Sequence, residues 1–99
     1  MRPINVVYEE CYDHVDIVSV PEDIANDIES VVQEFFCWLI VPENKKRFLI
    51  PHEKWGEVLL IGAREFVWWL NHIKLSGEEK ASILQEDTTF VEEYPTADF

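Results

Sequence analysis

The residues of this chain best suited to chemistry are His14 and the acids around it. Asp13-His14-Val15-Asp16, with Glu9 and Glu10 just before, sets one imidazole among carboxylates. On an extended strand His14 and Asp16 share a face, because side chains alternate with period two. Such a pair can hold a metal or trade a proton. A working site needs a third group, and the local spacing supplies none. The alternative is a charged hairpin edge whose acids discourage edge-to-edge pairing, and that alternative is favoured. Gly56, Gly62 and Gly77 form no phosphate loop, and His52-Glu53 lacks the second histidine of a zinc-protease helix. Cys11 and Cys37 have no metal-ligand spacing and read as reduced thiols, at least one of them buried. The expectation is a protein that is not an enzyme, with no catalytic, cofactor-binding or metal-binding residues.

Charge points toward binding. The formal net charge is −12 over 99 residues, and it is uneven. Residues 1–44 hold ten acids and one base (Arg2), residues 45–80 five acids and seven bases, and residues 81–99 five acids and no base. Such a chain repels polyanions and attracts basic partners. Direct nucleic-acid contact is disfavoured, since phosphate affinity comes from Lys and Arg. An anionic membrane surface is disfavoured for the same reason. No apolar run approaches the roughly 18 residues of a membrane span, and the N-terminus has no apolar signal core. The expected location is the cytoplasm.

Two surfaces stand out. Pro21 fits the first position of a helix. Ile24, Ile28, Val31, Val32, Phe35 and Leu39 come after it at helical spacing, leaving Asp23, Asp27 and Glu34 on the opposite face beside Glu22 and Glu29. A carboxylate row on a rigid helix steers a basic cleft toward it. The second surface is a helix at 63–74, where Phe66, Trp69, Leu70 and Ile73 form a core face. Trp68 falls opposite, with Arg64 one turn before it and Asn71 and His72 alongside. Trp and Arg are enriched among interface hot spots; the alternative is that Trp68 packs on a neighbouring element. Trp38 and Trp55 are expected in the core. The candidate partner-binding set is Asp23, Asp27, Glu34, Arg64 and Trp68.

These residues need elements to position them. Residues 4–10 and 14–20 read as a hairpin of two strands. Residues 36–41 read either as a continuation of the first helix or as a strand pairing with 47–50 across a turn at 42–46, and the hairpin is preferred because Pro42 stops a helix. Residues 52–75 read either as one long helix or as a strand at 57–61 followed by the helix at 63–74. The split is preferred, because Gly56 and Gly62 would each cost roughly 1 kcal/mol inside a helix. Ser76 and Glu79 form a capping-box pattern opening a short helix at 77–85. Residues 89–99 read as an acidic, mobile tail with room for a short strand at 89–91. Hydrophobic content of 47% suffices for one core. The expectation is an α+β fold: a single domain over 1–88 whose antiparallel sheet of three to five short strands packs on two main helices and a short third.

The function expected from charge and size is that of a small cytoplasmic protein that binds another protein. It would occlude a basic, nucleic-acid-handling partner, as inhibitors, immunity proteins and antitoxins do. The second expectation is a homodimer or other homo-oligomer, or an accessory subunit without catalysis of its own. The third is a metal-dependent hydrolase centred on His14 and Asp16.

Overall fold

Apolar residues lie on both faces of the first strand, and much of the fold results from covering them. The computed structural model describes residues 1–77 and 80–99. β1 (Arg2–Tyr8) and β2 (Cys11–Val20) form an antiparallel hairpin, in even register from Arg2↔Val20 to Val6↔Asp16 and shifted by a bulge before Tyr8↔Cys11. The turn is Glu9-Glu10 alone, with φ of 53° and 58°. Two left-handed residues match the twist of the flanking strands, although Asn-Gly would adopt that turn more easily than two glutamates.

The amphipathic run after Pro21 is broken in two. α1 (Glu22–Asn26) and α2 (Ile28–Leu39) meet at Asp27, whose backbone leaves the helical region (φ −127°, ψ 36°). Asn26 and Asp27 are both weak helix formers, and the apolar face survives the break, with Ile24, Ile28, Val31, Val32, Phe35 and Leu39 all buried. The strand expected at 36–41 is the end of α2 instead. Leu39 continues the buried stripe, and the Asn44 amide donates to the Trp38 carbonyl at 2.8 Å, closing the helix. Pro42 does not end a strand; it opens α3 (Pro42–Lys45), where its missing N–H is harmless. A 3₁₀ turn (Lys46–Phe48) comes next. The hairpin of this region forms one step later, between β3 (Leu49–His52) and β4 (Gly56–Leu59), with Gly56 at φ 75°.

The split reading of 52–75 agrees with the structure: β4 is followed by α4 (Ala63–Trp69). The helix then widens into a π turn, Leu70–Lys74, in which Leu75 N–H reaches the Leu70 carbonyl at 2.8 Å. The wider turn carries an extra residue and rotates the side chains beyond it about the helix axis. Ile73, expected in the core, is 43% exposed, while Asn71, expected on the polar face, is buried.

The helix expected at 77–85 does not form over its described residues, which enter a strand at Ser82. Ser76 and Gly77 take positive φ, and β5 (Ser82–Thr88) pairs antiparallel with β2. The capping pattern of Ser76 with Glu79 falls partly outside the described residues. Asn71 is the physical reason for the extended chain. Its Oδ1 accepts the N–H of Lys80 and of Ala81 (3.0 and 2.8 Å), and its amide donates to the Ala81 carbonyl (2.9 Å). Those backbone groups are thereby taken from any helix.

The segment set apart as a tail completes the sheet. Residues 89–91 form no strand, but β6 (Thr96–Asp98) pairs parallel with β1. The order is β5-β2-β1-β6, a mixed sheet, with β3-β4 as a separate pair. The fold is α+β, as the sequence predicts. One face of the sheet packs Ile4, Val6, Val18, Val20 and Ala97 against α1, α2 and α4. On the other face Phe90, Val91 and Tyr94 cover Val7, Val15 and Ile17. Phe99 closes the core edge, its ring 5.2 Å from Phe66 and 6.0 Å from Phe35.

Candidate protein-binding surface

The five predicted contact residues do not form one patch. Arg64, at the start of α4, forms an ion pair with Glu86 on β5. Glu34, on α2, forms an ion pair with Lys74 from the π turn. Trp68 is half-buried in an aromatic cluster between helices. Its ring lies 6.2 Å from Trp38, 5.7 Å from Phe48 and 4.8 Å from His72, and the Arg47 guanidinium sits 4.7 Å from its centre. Trp68 therefore packs, and Arg47 supplies a cation–π contact. Trp55, expected in the core, is 72% exposed at the β3-β4 turn and stacks on His52. Both cysteines are exposed, where at least one was expected to be buried.

Asp23 and Asp27 stay available. With Glu22 and Glu29 they form an exposed acidic face on α1 and the start of α2. Among the described residues no cation forms an ion pair with these four. Arg2, at the border of this face, donates instead to the Asn26 side chain at 2.7 Å.

This face opens into a groove that sequence reasoning missed. A hollow of about 560 Å³ runs between residues 25–30 and Pro95-Thr96. It adjoins a second of about 320 Å³ between Glu29, Val32, Gln33 and Phe36 on α2 and Thr96 and Asp98 on β6. Glu29 and Thr96 line both. In the second hollow the floor is apolar at Val32 and Phe36, with Phe36 37% exposed. The strand side is an open sheet edge, since among the described residues β6 pairs with β1 alone. The ladder to β1 uses the Pro95 carbonyl, which accepts Asn5 N–H at 2.8 Å, and Phe99 N–H, which donates to the Val7 carbonyl at 2.9 Å. Backbone groups alternate sides along a strand, so those of Thr96 and Asp98 point outward.

Asn5 holds this edge in place. Fully buried on β1, its amide donates to the carbonyls of Val91 and Tyr94 (2.8 and 3.3 Å) and its Oδ1 accepts Val91 N–H (3.0 Å). An amide between Ile4 and Val6 on a strand was the available signal, since a buried amide demands several partners.

His14 and Asp16 hold different side-chain partners. His14 is exposed and pairs with the Asp87 carboxylate at 2.6 Å. Asp16 accepts the Tyr8 hydroxyl at 2.5 Å and the Asp87 backbone N–H at 2.9 Å. Tyr8 in turn accepts the Ala63 N–H (2.9 Å), and the Glu65 carboxylate accepts the Gly62 N–H (3.0 Å), so the two side chains cap α4. Burial pushes the Tyr8 hydroxyl well above the usual tyrosine range, and its hydrogen bond to Asp16 adds to the shift. Among the described residues no three His, Cys, Asp or Glu side chains are placed to hold a metal ion. No described helix is long and apolar enough to cross a membrane. No family model, curated protein or solved structure matches the chain.

Proposed function

We propose that this protein binds another protein through its acidic face and so occludes a basic, nucleic-acid-handling site, acting as an inhibitor of immunity or antitoxin type without catalysis of its own. One observation carries the proposal: Glu22, Asp23, Asp27 and Glu29 lie exposed side by side with no ion pair among the described residues. Like-charge repulsion on such a face opposes folding, and a basic partner relieves it. Asp23 and Asp27 are its contact residues; Glu34, Arg64 and Trp68 already have partners within the chain.

The test is association kinetics with the basic protein that the chain captures from its own cells. The association rate should fall steeply with salt, and Asp23→Lys with Asp27→Lys should lower it by about tenfold or more at low salt. The captured protein should lose its nucleic acid on binding. An association rate indifferent to both salt and charge reversal contradicts the proposal.

A second reading, self-association, is favoured by the exposed Ile50, Trp55 and Leu60 on and beside the β3-β4 hairpin. It predicts a dimer in light scattering that Trp55→Ala disperses; a monomer at all concentrations removes it.

A further inference from the structure

We propose that the groove between α2 and β6 takes an extended, basic segment of the partner, which adds to the sheet as a fifth strand beside β6. This rests on the basic-partner function above and says how the partner is held.

Three features converge on that occupant. The outward N–H and C=O groups of Thr96 and Asp98 take no backbone partner among the described residues, and strand addition to an open edge draws its affinity from such groups. The wall facing them is a helix with an apolar floor at Val32 and Phe36, which suits the aliphatic stems of Lys and Arg. The rim carries Asp27, Glu29 and Asp98, none ion-paired among the described residues, so the charge selects a cation-rich segment. Side chains on an added strand would alternate, one set toward the floor and one toward solvent. A segment with a basic residue at every second position therefore fits best.

The groove is distinct from the other open edge, β5, whose register against β2 slips twice. A flat added strand finds no continuous ladder there.

The experiment uses a fluorescein-labelled peptide of alternating lysine and threonine, read by anisotropy at low salt. Two twins carry N-methyl groups, one on every lysine amide and one on every threonine amide, which keep the charge but block one hydrogen-bonding edge each. The parent should bind saturably, and one twin should bind about tenfold more weakly than the other. Thr96→Pro, which removes an outward N–H and spares the ladder to β1, should weaken the parent similarly, with thermal unfolding confirming that the variant is folded. If both twins bind like the parent, strand addition is wrong while the basic-partner function stands on charge. If the parent does not bind, strand addition is overturned, and the salt dependence with the folded partner judges that function separately.

Discussion

The four-stranded sheet meets solvent at two edges, and it treats them differently. At β5 the register against β2 slips twice and Asp87 turns into the left-handed region (φ 53°). Arg64 reaches across to Glu86, and His14 to Asp87. Bulges and charged side chains of this kind keep a further strand away. At β6 the register to β1 is even over Asn5↔Thr96, Val6↔Ala97 and Val7↔Asp98, and a groove lies alongside. An edge protected by its own side chains serves folding. The edge at β6, beside carboxylates with no ion pair among the described residues, is the one we propose takes a basic strand.

The comparison breaks most completely at Asn5. Asn5→Ala leaves Val91 N–H and the Val91 and Tyr94 carbonyls without their buried partner. The expected loss is about 3 kcal/mol, read by urea unfolding, with the β6 ladder lost first in amide exchange. Next is Asn71→Ala, which frees the N–H groups of Lys80 and Ala81 and the Ala81 carbonyl at the start of β5. It should cost about 2 kcal/mol and expose β5 amides, leaving β6 protected. The two variants together show whether each edge depends on its own asparagine.

A stabilising change serves as the control. Replacing Glu9-Glu10 with Asn-Gly suits the two left-handed residues of the β1-β2 turn. The expected gain is about 1–2 kcal/mol, seen as a higher Tm. The smallest effect belongs to Arg64→Ala. Its ion pair with Glu86 is exposed, so stability should change by less than about 0.5 kcal/mol.

Local patterns in the sequence foretold the hairpin of β1 and β2, the apolar stripe of the first helix, and the strand-then-helix of 57–74. Each depends on periodicity within one segment. The features that stayed hidden depend on distant partners. β5 has no alternation of its own; pairing with β2 and the hydrogen bonds of Asn71 extend it. The π turn after α4 shifts the helical phase by one residue, which exchanges Ile73 for Asn71 in the core. The acidic C-terminal segment looks detachable until Asn5 and β1 take up its backbone groups. Asp23 and Asp27 were legible as exposed acids because an apolar stripe fixes the opposite face. The groove was not, since it joins residues 25–36 to residues 95–98 across the whole chain.

The most direct test of the central claim is amide hydrogen exchange over both edge strands, with and without the alternating lysine–threonine peptide. Slowed exchange at Thr96 and Asp98, with the β5 amides unchanged, is the predicted result. Slowed exchange at β5 alone, or no change at β6 when the peptide is bound, would contradict it.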